Sequence, residues 1–286
     1  MKNVPNPELD LLARQWGATS VPFTQSTPEA WLQTPEHRQA LQRLDQTATL
    51  RSVMLLAGPN GVGKSALLSR WVQGLDSRRF HPVVLTQASL SGASLLAALT
   101  AKLGQRAGFR RDINLARIEA ALAELEPRVP VLVLDEAQNA SHNTLEEVRL
   151  LLGLNLAQPS AFALILIGDE YLLGTLRLRH HRPLHSRIGC HLSLGPWTPD
   201  QVAQYLQQAF KAVGIQRETF EPAAQDLLTR ASGGFARSLC LLARAAWIAA
   251  ATAEASLIGP DHVQHAIDTV PGTLGLREPP TPEPQT

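Results

Sequence analysis

Gly58-Pro59-Asn60-Gly61-Val62-Gly63-Lys64-Ser65 is the stretch that decides the fold. It follows the apolar run 53–57 and precedes a helix-like segment that begins at Ala66. A strand, a glycine-rich loop and a helix in this order turn backbone N–H groups and a helix N-terminus toward one point, which creates an anion site. The pattern predicts a nucleotide-binding loop that extends from Gly58 to Ala66. Lys64 is expected to reach the β- and γ-phosphates, and Ser65 to bind Mg²⁺.

A second motif is the apolar run 131–134, which ends in Asp135 and Glu136. Acidic residues at the carboxyl end of a buried strand face the crevice in which ligands of open α/β sheets bind. We therefore expect Asp135 to hold Mg²⁺, directly or through water, and Glu136 to polarise the attacking water.

A third apolar run, 161–167, leads through Gly168 to Asp169. Two interpretations of Asp169 remain open. It could sense the γ-phosphate or position the attacking water, and it could instead cap the helix that begins at Glu170.

Helical periodicity separates these runs from one another and from two further apolar runs, 82–86 and 190–194. Five strands alternating with helices predict an α/β fold with a five-stranded parallel sheet. The predicted domains are an N-terminal extension on the core (1–47), the α/β core (48–195), a small all-helical lid (196–272) and a disordered proline-rich tail (273–286). The extension could be a strap over the sheet or one wall of an adenine pocket.

The composition limits the classes of function. The 286 residues carry 26 basic and 25 acidic side chains, which gives a formal net charge of +1. The overall charge therefore does not indicate binding to nucleic acid. Cys190 and Cys240 are too few for a disulfide framework and fit a reducing compartment. Because no apolar leader and no convincing membrane span is visible, the sequence predicts a cytoplasmic protein without membrane contact.

Any nucleic-acid surface must therefore be local. The candidates for contact with duplex DNA lie in two basic segments, a loop with Arg106, Arg110 and Arg111 and a later segment with Arg177, Arg179 and Arg182. The later segment also contains His180, His181 and His185. Since no cysteine and no acidic residue accompanies these histidines in the sequence, a metal site is not favoured there.

The order of these motifs resembles that of the AAA+ ATPases. The resemblance adds the pair Ser186-Arg187 and the turn 233–237, which ends in Arg237 and has alanine where the family usually has proline. It implies a three-layer P-loop domain followed by a helical lid, with ATP and Mg²⁺ as cofactors. It also implies that Arg187 acts on the nucleotide of a neighbouring subunit and that Arg237 contacts nucleotide from the lid. Asp169 departs from the Asn or Thr common at its position.

Within AAA+, the segment that starts Asp135-Glu136-Ala137-Gln138 is similar to the ExeA-type group. That group includes secretion ATPases and the transposition helpers of the TniB and TnsC kind. Because no membrane-spanning or cell-wall-binding segment follows the lid, the resemblance favours the helpers. It then implies an ATP-dependent regulator that oligomerises on target DNA, as a ring or a helical filament, and recruits or activates a transposase. A target-selection protein is a further expected partner.

Two other classes of function stay open at this point. One is a cytosolic ExeA-like secretion or assembly ATPase that acts on protein, and the other is a nucleotide-switched signalling ATPase of the STAND kind. ATP hydrolysis that is stimulated by DNA would distinguish the DNA-binding regulator from both of these alternatives.

Overall fold

Two hydrophobic cores divide the chain into two units, one built on a sheet and one of helices. The computed structural model describes residues 6–24, 30–86, 90–153 and 160–270. The sheet unit comprises Pro35–Asn60 and Lys64–Gly195, and the described remainder, including Gly61–Gly63, forms the helical unit.

The sheet has five strands, and every pairing between them is parallel. The strands are β1 (Val53–Ala57), β2 (Phe80–Leu85), β3 (Val129–Leu134), β4 (Ala163–Ile167) and β5 (Ile188–Ser193). Their spatial order is β2-β3-β4-β1-β5. The predicted five-stranded parallel sheet is therefore confirmed, with strand ends that differ by about two residues, as is usual for assigned boundaries.

Alternate residues of the central strands serve opposite faces of the sheet. Leu55, Leu132 and Leu164 pack into one core with apolar residues of the helices that follow β2, β3 and β4. The helix α2 (Pro35–Leu50) contacts β1, β3, β4 and β5 and carries its own buried residues, such as Ala40 and Leu44. Because both faces are covered, β1 and β4 are buried along their whole length.

Seven helices of the described residues belong to the sheet unit. They are α2 (Pro35–Leu50), α3 (Lys64–Gly74), α4 (Gly92–Lys102), α5 (Arg111–Glu124), α6 (His142–Leu151), α7 (Leu172–Arg177) and α8 (Arg182–His185). Short 3-10 turns at Ala137–Asn139 and Arg179–His181 precede α6 and α8. The carboxyl ends of β1, β3 and β4 thus each lead into a short turn and a helix.

The helical unit contains α1 (Pro7–Gln15), α9 (Pro199–Ala212), α10 (Pro222–Ser232), α11 (Ala236–Thr252) and α12 (Pro260–Thr269). Thr198 caps α9, since its hydroxyl accepts the Gln201 N–H at 3.3 Å and the Gln201 side chain accepts the Thr198 N–H at 3.0 Å. This reciprocal capping box fixes the first turn of the lid. The predicted proline-rich tail lies outside the described residues.

The N-terminal residues group with the helical unit, which differs from the predicted extension on the core. Trp16 and Phe23 are buried against Phe210, with ring centroids 6.0 and 5.1 Å from that ring. Trp16 also meets Trp247 edge-on at 6.4 Å. The grouping changes after Thr34, within the predicted 1–47 segment, because the early aromatic side chains find their apolar partners in the C-terminal helices.

Candidate nucleotide site

The phosphate loop leaves β1 in a conformation that requires glycine. Gly58 has a φ of 151°, and a Cβ there would collide with the backbone carbonyl of Leu194. Gly63, directly before α3, has a φ of 105°, which side-chain-bearing residues rarely adopt. The loop therefore turns sharply out of the sheet and delivers its backbone to the N-terminus of α3, as the sequence predicts.

Lys64 lies inside the curve of this loop. Its ammonium group donates to the carbonyl oxygens of Gly58 at 2.6 Å and Pro59 at 3.0 Å, and the residue is 6% exposed. Burial lowers the pKa of Lys64, while the charges of Glu136 and Asp135 oppose that shift. The lysine is thus a partly desolvated cation held by the loop backbone.

Ser65 and Asp135 join the two sequence motifs. The Ser65 hydroxyl donates to Oδ2 of Asp135 at 3.3 Å, although the residues lie 70 positions apart. Asp135 is 7% exposed, and burial raises the pKa of its carboxyl group. A hydroxyl and a carboxylate oxygen at one point fit the hard-oxygen preference of Mg²⁺, so these residues could hold that ion.

Glu136 stands in a left-handed backbone conformation with a φ of 53°. Its backbone N–H donates to Oδ1 of Asp135 at 2.9 Å, and its Oε2 accepts a 2.6 Å hydrogen bond from the side chain of Gln138. A non-glycine residue at positive φ is uncommon and costs free energy. The strained turn is held by bonds at both its backbone and its carboxylate.

Gln138 is a site residue that the sequence reasoning did not assign. Besides donating to Glu136, its side-chain carbonyl accepts the backbone N–H of Asp169 at 3.2 Å. One carboxamide therefore connects the end of β3 with the end of β4. Its position three residues after Asp135, at the end of the quoted Asp-Glu-Ala-Gln segment, was the available signal.

Asp169 caps a helix in this structure. Its Oδ1 accepts the backbone N–H groups of Tyr171 at 3.0 Å and Leu172 at 3.1 Å, at the start of α7. Of the two interpretations of Asp169, the capping role is therefore observed. The predicted catalytic role stays a prediction.

The two arginines expected from the resemblance occupy different units. Arg187 is exposed, and its guanidinium donates to the Arg149 carbonyl at 3.0 Å, at the C-terminal turn of α6. Arg237 lies in the helical unit, where its backbone N–H donates to the Gly61 carbonyl at 3.0 Å. That bond connects the start of α11 to the middle of the predicted loop within one unit.

The basic residues proposed for DNA contact divide into two groups. Arg110 forms an ion pair with Asp112 at 2.8 Å, and Arg111 forms one with Glu147 at 2.7 Å. Arg106 is exposed in the same loop. The residues Arg177, Arg179 and Arg182 are also exposed, and none forms an ion pair with any described residue. The later segment therefore presents more uncompensated positive charge than the loop.

With this geometry in view, residues 47–176 match the family model described as "AAA domain". The match identifies an AAA domain in that part of the chain. General secretion pathway protein A of Aeromonas hydrophila is 30% identical over 242 residues, a match that covers 82% of this chain and 44% of that protein. The chain thus spans less than half the length of this relative.

Solved structures show the same fold. Cdc6p from Pyrobaculum aerophilum superposes with a TM-score of 0.68 at 21% identity, covering 85% of this chain and 69% of that one. The Aeropyrum pernix ORC1 protein in complex with DNA gives a TM-score of 0.63 at 20% identity, covering 85% and 66%. The α/β P-loop architecture with C-terminal helices is therefore the AAA+ fold.

Among the helices of the described residues, none is both long and apolar enough to cross a bilayer.

Proposed function

We propose that the AAA domain binds ATP with Mg²⁺ and hydrolyses it to ADP and phosphate. The observation that carries the proposal is the hydrogen bond from Ser65 to Asp135, which joins the first turn of α3, directly after the glycine-rich loop, to the residue that follows β3. Glu136 follows on the same turn, and Lys64 lies in the adjoining loop. These are the parts that phosphoryl transfer to water requires.

Each residue has a separate role in this proposal. Ser65 and Asp135 would hold Mg²⁺, which when bound supplies charge neutralisation between the β- and γ-phosphates. Lys64 would exchange the carbonyl oxygens of Gly58 and Pro59 for phosphate oxygens. Glu136 would accept a proton from, or orient, the attacking water. The backbone of Gly58 to Ala66 would donate to the phosphates.

Two substitutions test these roles. Lys64→Ala is expected to abolish nucleotide binding, whereas Glu136→Gln should keep binding and stop hydrolysis. Glu170→Gln is a matched control, because Glu170 is an exposed acid whose charge also reaches Lys64. Phosphate release and binding of a fluorescent ATP analogue are measured for each variant. Parental turnover in Glu136→Gln would refute the assignment of the water-activating residue.

We also propose that the ATPase is completed in a homo-oligomer by Arg187 of the adjacent subunit. Arg187 is exposed and directly precedes β5, which is the place of the trans-acting arginine in the AAA+ proteins that the sequence resembles. Phosphoryl transfer is accelerated by about 10³ to 10⁵ where such an arginine has been measured. Arg237 would sense the nucleotide from the lid.

For the partner we propose duplex DNA, with a transposase and a target-selection protein acting on the assembled complex. The unpaired arginines at 177, 179 and 182 support DNA, and a structure of similar fold is described as bound to DNA. The transposase role is supported by the sequence resemblance alone.

Salt dependence of binding tests the DNA surface. Arg179→Glu combined with Arg182→Glu should lower affinity for unrelated duplexes equally and reduce the slope of log K against log salt by about 1.8, at about 0.9 per phosphate contact. Arg110→Glu combined with Arg111→Glu is the comparison, and a smaller effect is expected because both side chains are already ion-paired. Equal affinity of all three proteins would remove both segments from the interface.

The 30% identity to general secretion pathway protein A favours a second candidate, an assembly ATPase that acts on protein. Turnover measured with and without duplex DNA separates the candidates. Stimulation by DNA supports the first, and unchanged turnover together with unmeasurable DNA binding supports the second.

A further inference from the structure

Three histidines meet on the surface of the sheet unit although the sequence separates them. His142 is the first residue of α6, and His180 and His181 end the 3-10 turn Arg179–His181. The ring centroids lie 4.7 Å apart for His142 and His180, 4.9 Å for His142 and His181, and 4.3 Å for His180 and His181. One potential ligand atom of each ring lies within 4.8 Å of those of the other two.

The sequence did not favour a metal here because it showed His180 and His181 only beside His185. In the structure, the third histidine of the cluster is His142 rather than His185, and it belongs to a different element. Within the described residues, no group hydrogen-bonds to any of the three imidazoles, so their nitrogens have no competing partner. His181 is 4% exposed, whereas His142 and His180 are exposed.

An acidic residue accompanies the cluster. Glu146 lies one helical turn after His142 on α6. Arg149 pairs with both Glu146 oxygens at 2.8 and 2.6 Å, which fixes the carboxylate. Because this ion pair holds both carboxylate oxygens, Arg149 balances the charge of Glu146, and Glu146 supplies no ligand to the cluster.

We propose that His142, His180 and His181 form a binding site for one divalent transition-metal ion of the class that prefers imidazole, with Zn²⁺ as the reference ion. Tetrahedral Zn²⁺ with Zn–N bonds of about 2.0–2.1 Å needs its nitrogens about 3.3 Å apart. The exposed rings of His142 and His180 can rotate to close that gap around the buried His181. Solvent completes the coordination.

The proposed ion would connect two functional segments. The first segment is the turn Ala137–Asn139, which contains Gln138 and ends three residues before His142. The second is the segment that follows His180 and His181 and leads to Arg187. Arg187 already contacts the other end of α6 through the Arg149 carbonyl. A metal ion at the start of α6 would attach one end of the segment 179–187 to that helix, while Arg187 attaches the other end. The metal site itself does not depend on the proposed ATPase activity.

The test is metal binding to the untagged full chain after chelation and dialysis. Titration with ZnCl₂ in excess Mg²⁺, which occupies oxygen sites such as Asp135, is followed by calorimetry, and CoCl₂ is used as the spectroscopic probe. The parent is expected to bind one equivalent and to show visible Co²⁺ bands of a nitrogen-ligated site. His142→Ala and His180→Ala should each weaken Zn²⁺ binding by more than the roughly 10- to 100-fold that loss of an outer-shell partner costs.

His185→Ala is the matched control, since His185 lies in the same segment outside the cluster and should bind metal like the parent. Circular dichroism verifies that the exposed substitutions leave the fold intact. The proposal is overturned if the parent binds no equivalent of Zn²⁺, if His142→Ala and His180→Ala both bind like the parent, or if His185→Ala loses the metal equally. The first outcome would mean that the three rings are packed against one another only.

Discussion

Gln138→Ala is expected to slow ATP hydrolysis without weakening nucleotide binding. In the structure the Gln138 side chain donates to Oε2 of Glu136 at 2.6 Å and accepts the backbone N–H of Asp169 at 3.2 Å. Among the described residues, no hydrogen bond joins its side chain to the loop from Gly58 to Ser65. The substitution therefore releases the carboxylate of Glu136 but leaves the phosphate-binding elements in place.

The magnitude follows from the bond that is lost. A hydrogen bond to a charged group contributes about 1.5–3 kcal/mol. If that amount fixes Glu136 in its reactive position, its loss raises the barrier equally, and each 1.36 kcal/mol is tenfold in rate, which gives a decrease in kcat of about 10- to 150-fold. The neutral bond to the Asp169 N–H adds less, about 0.5–1.5 kcal/mol, and acts on the fold of the turn.

The assay is steady-state phosphate release over a range of ATP concentrations, with binding of a fluorescent ATP analogue measured separately. The control is Asn139→Ala, because Asn139 is the exposed neighbour in the same turn. The reasoning predicts a fall in kcat with an unchanged dissociation constant for the analogue. A positioning role for Gln138 would be refuted if Gln138→Ala had the same kcat as Asn139→Ala. It would also be refuted if the substitution raised KM and left kcat unchanged.

Three further predictions concern single side chains. Burial raises the pKa of Asp135, so the charged carboxylate destabilises the folded chain at neutral pH, and Asp135→Asn should raise the melting temperature in Mg²⁺-free buffer. The gain should vanish in acid, where the carboxyl group is protonated in both the folded and the unfolded chain. A lower melting temperature of Asp135→Asn at pH 7 would contradict this prediction. Arg187→Ala and Glu136→Gln proteins should each be nearly inactive and regain turnover when mixed, and a co-assembled mixture that stays inactive would assign the trans-acting role elsewhere. Arg237→Ala should reduce ATP-dependent assembly in sedimentation experiments while leaving the melting temperature unchanged, and parental assembly would show that only its backbone matters.

The sequence predicted those parts of the fold that depend on local patterns. The phosphate loop, β1 and the residues Asp135 and Glu136 were found because each motif is continuous and stands at the end of an apolar run. The bond between Ser65 and Asp135 was not itself predicted, but both residues were expected at one Mg²⁺ site, because ligands bind at the carboxyl ends of the strands in an open α/β sheet.

The remaining features depend on tertiary contacts that no local pattern encodes. Gln138 acquires its position only because β4 lies beside β3, which brings the Asp169 backbone within reach. His142 joins His180 and His181 only because the start of α6 packs against a turn far along the chain. Trp16 and Phe23 lie in the segment that was predicted to pack on the core, because the sequence does not show that their partners are Phe210 and Trp247.

The burial of Trp16 and Phe23 has a consequence for synthesis of the chain. Residues far apart in the sequence share one core, so Trp16 and Phe23 must wait for the synthesis of α11 before they can be buried. The sheet unit, from Pro35 to Gly195, is nearly continuous and can fold meanwhile. During that interval the nascent chain exposes the apolar segment that contains Trp16 and Phe23, of the kind that chaperones bind, and any premature stop before α11 leaves it exposed permanently.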